Sequence, residues 1–311
     1  MSFYNKKIMI IGVPLDLGSE PLGVEIGASA LRYAGIVDAL KYNGYEVTDL
    51  GDLHINKNDA NKNFSLQIDE IKRVSEILSD KVYNAMKNDY IPIILGGDHS
   101  AAIGSIAGAS RNFHNLGLIW IDCHPDSNTP ETSPTGNIHG MTVAISLGFG
   151  YEKLTGISSI APKVRKENVL MIGINDIDQG EKIFLERNKI KYYTMLDIDK
   201  IGISKIVNEA KNTIFKDCEG VHISLDIDAL DPLIAPGTGI LSRGGLSYRE
   251  ISYIATELSK EKKFCSIDVI EINPLLDIKN QTSELAVEIV LKLLGGNFGD
   301  YERKYLKKVR N

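Results

Sequence analysis

Eight short apolar runs, separated by longer stretches with helical periodicity, constrain this chain more than any other feature. They lie at 7–12, 46–50, 91–95, 117–121, 169–172, 191–194, 221–226 and 266–270. Several are nearly continuous, such as Ile91-Pro92-Ile93-Ile94-Leu95 and Leu118-Ile119-Trp120-Ile121, which suits strands of a parallel sheet covered on both faces. Between them, Ile68, Ile71, Val74, Ile77, Leu78, Val82 and Met86 fall on one helical face. Residues 285–294 read as a more fully buried helix that starts at Thr282 or Ser283 and stops at Gly295 and Gly296. Residues 28–41 and 247–260 read as helices too. The alternation predicts an α/β fold: one three-layer α/β/α domain around a mainly parallel, eight-stranded, doubly wound sheet. That domain takes in 1–311, with 297–311 as a C-terminal tail.

In such sheets, ligands bind at the carboxyl ends of the strands. The polar clusters of this chain fall there. Gly96-Gly97-Asp98-His99-Ser100 follows the third run, and Asp122-Cys123-His124-Pro125-Asp126 the fourth. Asn175-Asp176-Ile177-Asp178 follows the fifth, Asp226-Ile227-Asp228 ends the seventh, and Glu271 follows the eighth. Taken singly, an Asp-x-Asp after a strand is an ordinary turn or helix cap. Five clusters converging on one sheet edge are not.

Asp122, His124 and Asp126 are spaced by two, which in an extended chain aims all three side chains to one side. Cys123, at the odd position, is then expected to face away. Asp226 and Asp228 repeat the device. Four carboxylates at one edge repel unless cations neutralise them, and two divalent ions would do so. Oxygen and imidazole donors suit manganese better than a thiolate-preferring metal.

Charge narrows the partners. The formal net charge is −6, without the basic stripe of a nucleic-acid surface. The one cationic run, Arg303 to Arg310, reads as a solvated tail. No stretch approaches the roughly 20 apolar residues of a membrane helix. Three cysteines without a CxxC pair fit a reducing compartment, so a cytoplasmic location is expected.

Gly-Gly-Asp-His99-Ser, Asp122-x-His124-x-Asp126, Ser224-Leu-Asp226-Ile-Asp228-Ala-Leu-Asp231-Pro232 and Glu271-Ile-Asn-Pro274 occur in that order. Gly23-Val-Glu25 precedes the first helix, and Pro236-Gly-Thr238-Gly239 follows the second Asp pair. Together, from about Ile8 to about Leu294, they resemble the ureohydrolases: arginase, agmatinase and relatives. The resemblance implies two Mn2+ ions. One would be held by His99, Asp122, Asp126 and Asp226; the other by Asp122, His124, Asp226 and Asp228. It implies that a hydroxide bridging the ions attacks a guanidinium carbon. Glu271 would orient the guanidinium, Asp126 would pass a proton toward the leaving amine, and His139 would shuttle protons at the cleft mouth.

The segment from Asn128 to His139 resembles arginase specifically. Asn128, Thr135 and Asn137 would bind the α-carboxylate of L-arginine, Asp178 would meet the α-amino group, and Glu181 would assist. Thr238 joins these expected substrate contacts. The products would be L-ornithine and urea. Cys123 and Pro125 replace the commoner Asp-Ala-His-Thr, and Thr135, Pro134 and Leu22 also depart from the family pattern. Agmatinase or another guanidino or formimino ureohydrolase is the alternative, followed by a noncatalytic paralogue that binds arginine or metal. Arg249 and Glu250 match a segment associated with subunit contacts, so a homo-oligomer, trimer or hexamer, is expected, with no nucleic acid and no membrane.

Overall fold

A computed structural model of the chain describes residues 7–19, 22–60, 62–297 and 299. The expected tail and its cationic run lie outside them, apart from Asn297 and Gly299.

Every apolar run is a strand. They are β1 (Lys7–Gly12), β2 (Glu46–Asp52), β3 (Tyr90–Leu95), β4 (Leu116–Ile121), β5 (Val169–Ile174), β6 (Lys191–Thr194), β7 (Gly220–Asp226) and β8 (Phe264–Ile270). They form one sheet in the order β2-β1-β3-β8-β7-β4-β5-β6. Every pairing is parallel, so the expectation of a mainly parallel sheet holds in its strictest form.

Alternation along each strand splits the core in two. Ile119 and Ile121 of β4 pack with Ile223 and Leu225 of β7 against the helices Ile203–Ala210, Tyr248–Leu258 and Gln281–Leu293. Leu118 and Trp120 pack on the other face with the helices Phe64–Lys87 and Ala101–Ser110. All six residues of β4 are buried, which explains its unbroken apolar run.

Two helix expectations need correction. The stretch 28–41 is two helices, Gly27–Tyr33 and Ile36–Tyr42, because Gly35 takes a left-handed conformation (φ 88°) between them. The last buried helix starts at Gln281 and not at Thr282 or Ser283, behind a left-handed Asn280. It does end at Gly295 and Gly296, where the Gly296 amide donates to Leu291 O.

The order of the sheet, more than its existence, makes a site. β3, β8, β7 and β4 are consecutive neighbours at its centre. Their carboxyl ends carry His99, Glu271, Asp226 with Asp228, and Asp122 with Asp126.

Candidate active site

The turn after β3 explains its two glycines. Gly96 and Gly97 both have positive φ, and a Cβ on Gly97 would stand 2.1 Å from Val13 O. Asp98 then ties the turn down: its carboxylate accepts from the Gly18 amide (2.8 Å) and the Ser100 amide (2.9 Å). Asp98 holds the turn; His99 is left to face the sheet centre.

The ring of His99 is fully buried and stacks on Trp120, centroids 3.9 Å apart and planes 8° off parallel. Its Nε2 shares a hydrogen bond with Ser224 Oγ at 2.9 Å. That leaves Nδ1 pointing at three carboxylates: Asp122 Oδ2 at 3.0 Å, Asp126 Oδ2 at 3.1 Å and Asp226 Oδ2 at 3.1 Å. His124 forms a second focus. Its Nδ1 lies 3.2 Å from Asp228 Oδ2 and 3.6 Å from Asp122 Oδ1. Asp122 belongs to both groups. Asp226 Oδ1 accepts from the Asp228 amide at 2.8 Å, fixing the second Asp pair.

Cys123 does not face away. Its Sγ lies 3.2 Å from His124 Nδ1, and Asp122, Cys123, His124 and Asp228 each bring a donor atom within 4.8 Å of the others. The expectation assumed an extended chain through Asp126, but β4 ends at Ile121. Beyond it the backbone bends, and by Asp126 it has a positive φ of 46°. Alternation does not survive the end of the strand.

Glu271 is another left-handed non-glycine residue (φ 60°). Such conformations typically cost about 1–3 kcal/mol and cluster at functional sites. Glu271 Oε1 accepts from the His99 amide at 2.8 Å and lies 3.0 Å from His139 Nδ1. This contact between Glu271 and His139, distant in sequence, had no signature in the spacing of residues.

The charges strain against one another. Burial, reinforced by the neighbouring carboxylates, raises Asp126 and Asp226 above the usual carboxylate range. Burial raises Asp122 too, but the His124 and His99 imidazoles outweigh it and leave this carboxyl low. Burial opposes protonation of His139, yet the Glu271 carboxylate prevails and pushes it up to about 9. Carboxylates packed so closely draw in protons or cations.

His99 Nδ1 and Asp122 Oδ2, both fully buried and only 3.0 Å apart, make no aligned hydrogen bond to each other or to any other group. Unpartnered donors converging from two sides, in sets His99–Asp122–Asp126 and Asp122–Cys123–His124–Asp228, fit a pair of divalent cations.

A buried polar layer under the site was missed from the sequence. Asp268 Oδ2 accepts from Ser105 Oγ (2.7 Å), lies 2.9 Å from His222 Nε2, and reaches Ser224 Oγ at 3.4 Å. Ser224 in turn orients His99, as outer-sphere partners orient ligating imidazoles. The signal was present: His222, Ser224 and Asp226 alternate in an otherwise apolar strand, opposite Ser266 and Asp268.

The residues expected to read the substrate lie on two segments. Asn128 Nδ2 donates to Asp178 Oδ2 at 2.6 Å, joining the loop after β4 to the end of β5. Asp178 also caps the helix Gln179–Asn188, with Glu181 completing a capping box. Glu181 accepts from the Ser127 amide at 3.2 Å, and burial, then the charge of Asp126, pushes it up to about 8. Thr135 is exposed and its hydroxyl accepts from the half-buried Asn137 amide at 3.2 Å. Thr238 is 1% exposed, its hydroxyl has no protein partner, and it bridges to Ile272 beside Glu271. Glu250 completes the capping box of Ser247.

Comparison with known proteins gives the same answer from three directions. Residues 6–295 match the model of the Arginase family. The chain is 44% identical over 293 residues to the arginase of Bacillus subtilis (strain 168), covering 94% of this chain and 98% of that one. The crystal structure of arginase from Bacillus subtilis superposes with a TM-score of 0.88 at 44% identity, over 94% of this chain and 99% of the other. The Entamoeba histolytica arginase, solved in complex with L-ornithine, has a TM-score of 0.84 at 29% identity, over 94% and 98%.

Proposed function

This chain belongs to the arginase family and is a hydrolase, and from that premise we propose that it converts L-arginine and water to L-ornithine and urea with two bound Mn2+ ions. The observation that carries the reading is the pair of donor groups sharing Asp122, with Glu271 at their edge. The oxygen and nitrogen donors of His99, Asp122, His124, Asp126, Asp226 and Asp228 suit manganese. When bound, the ions supply Lewis acidity and lower the pKa of water toward neutrality.

The protein's own groups then set up the reaction. Glu271, anchored through the His99 amide, offers a carboxylate to the planar guanidinium and fixes its carbon over the cluster. Water adds to that carbon, forming a carbon–oxygen bond and giving up a proton, and the tetrahedral adduct then collapses with loss of its bond to the side-chain nitrogen. The departing amine needs a proton, which Asp126 is assigned to deliver. His139 holds a proton against Glu271; a guanidinium that engages Glu271 takes away that partner, so the imidazole can exchange its proton with solvent.

Asn128, Thr135, Asn137 and Asp178, assisted by Glu181, are assigned to the amino-acid end of the substrate, and Thr238 to its guanidinium end. The L-ornithine in the Entamoeba histolytica structure supports an amino-acid ligand. Agmatine lacks the α-carboxylate, and each buried pairing it leaves unmade costs about 1–3 kcal/mol. Urea release should therefore favour arginine over agmatine by roughly 10- to 100-fold or more in kcat/KM. A preference for agmatine would overturn the roles given to Asn128, Thr135 and Asn137. Metal uptake without urea from any guanidino substrate would favour a noncatalytic binder.

A homo-oligomer is also proposed. Leu275, Leu276 and Ile278, on the segment after Glu271, expose 69%, 49% and 57% of their surface, more apolar area than one short loop usually leaves to water. Sedimentation of a monomer at micromolar concentration would refute it.

A further inference from the structure

We propose that Thr132 is a positioning residue for substrate recognition: its hydroxyl fixes the sense of the Asn128 side-chain amide, so that Asn128 offers an N–H and not an oxygen to the α-carboxylate of an amino-acid substrate. The inference rests on the reading of Asn128 above and concerns a residue that reading does not use.

The contacts of Asn128 carry it. Thr132 Oγ1 donates to Asn128 Oδ1 at 2.8 Å and accepts from the Thr129 amide at 2.8 Å. A hydroxyl has one proton to give, and the other acceptors in reach, Thr129 O at 3.4 Å and Thr129 Oγ1 at 3.5 Å, are farther away. At the opposite end of the same amide, Nδ2 donates to Asp178 Oδ2 at 2.6 Å. A carboxylate only accepts, so a reversed amide would set oxygen against oxygen there. Thr132 and Asp178 thus select the same sense from two sides. The backbone of Asn128 is already held, since its amide donates to Gly140 O at 3.1 Å and the residue is 5% exposed. What remains soft is the terminal amide torsion. Gly180, second in the helix Gln179–Asn188, keeps room for the arrangement: a Cβ there would stand 2.8 Å from Thr132 Cβ and 3.0 Å from Asn128 Oδ1.

With Oδ1 closed by Thr132 and one N–H spent on Asp178, the second N–H of Nδ2 is what the amide has left to give. That group can meet a carboxylate, and an amide oxygen cannot. Without the hydroxyl, the amide is tied at one end only, and each swing away from its place breaks the contact with the substrate. Thr132 is itself exposed, so packing does not call for a threonine at this position. The ordinary alternative is a turn residue whose hydroxyl serves only the Thr129 amide.

The test measures arginine kinetics on the full manganese-loaded chain for Thr132→Val, Thr132→Ser, Asn128→Ala and the variant that combines Thr132→Val with Asn128→Ala. Thr132→Val should raise KM roughly 3- to tenfold, the span expected for one net hydrogen bond. Its kcat should stay within about twofold and its metal content should not change, the pattern of lost uniform binding. Thr132→Ser keeps the hydroxyl and should return KM to within about twofold of the original. The combined variant decides the matter. Because Thr132 acts through Asn128, its loss should add nothing to Asn128→Ala. An unchanged KM in Thr132→Val, or a rise just as large on top of Asn128→Ala, would overturn the proposal and leave the role of Asn128 to its own variant. An Asn128→Ala enzyme with the original KM would overturn that role and the proposal together, as would an unaltered protein that releases no urea from arginine.

Discussion

Asp126→Asn is expected to lower kcat for arginine by on the order of 10²–10⁴-fold, the span typical of losing a positioned acid–base group. Metal content should fall from two ions per chain toward one. The choice of Asn matters. Asp126 sits at φ 46°, a left-handed conformation that Asn tolerates and most side chains do not. Its carbonyl accepts from the Val143 amide at 2.8 Å, a bond the substitution leaves intact. The fold should therefore survive, and unchanged circular dichroism beside lost activity would separate chemistry from collapse. Turnover within threefold of the original, with both ions bound, would remove Asp126 from its assigned role.

Glu271→Gln tests the other side of the centre. The carboxylate is expected to hold a cationic guanidinium, and hydrogen bonds to charged groups contribute about 1.5–3 kcal/mol, so kcat/KM should fall roughly 10- to 100-fold. Metal content should change little, because Glu271 meets the His99 backbone amide and not its ring. A second readout follows from its contact with His139. Burial alone lowers the imidazole, and Glu271 more than reverses this, holding it at about 9. Removing the charge should bring the His139 pKa down, and the limb of the pH–rate profile that tracks it should move to lower pH. Arginine kinetics that match the original enzyme across pH would refute the orienting role.

What was legible in the sequence follows from which forces act locally. Burial on both faces writes the continuous apolar runs of the inner strands, while the edge strands β2 and β6, mostly exposed or half-buried, show only through their short β-prone segments; all eight could be read within a few residues of their ends. Caps are local as well: Ser247 and Asp178 each close a box with an acid three residues on. The split of 28–41 at Gly35 was missed because an isolated glycine is tolerated in many helices, and only its φ of 88° reveals the break. The candidate site divides in the same way. Six acids and imidazoles at strand ends could be picked out from motif spacing and position. The direction of Cys123 could not, since it depends on where β4 ends. Nor could the meeting of His139 with Glu271, which depends on strand order, and no local pattern encodes that order.

That order also dictates how the molecule can be put together. The first three strands form one outer wing, β2-β1-β3, and the next three the other, β4-β5-β6. Nothing in the sheet joins the wings until β7 and β8, the last strands in the chain, fill the gap between β3 and β4. His99 stands on one side of that seam, Asp122 and Asp126 on the other, and Asp226, Asp228 and Glu271 arrive with the keystone. A chain lacking β7 and β8 keeps His99 on one wing and Asp122, His124 and Asp126 on the other, lacks Asp226, Asp228 and Glu271, and has no strand to bring the wings together. Cations that bind only the finished centre draw the population toward the joined state, by mass action, as they fill it. They would act here as a clasp across two half-sheets, and acquiring them would mark the end of assembly.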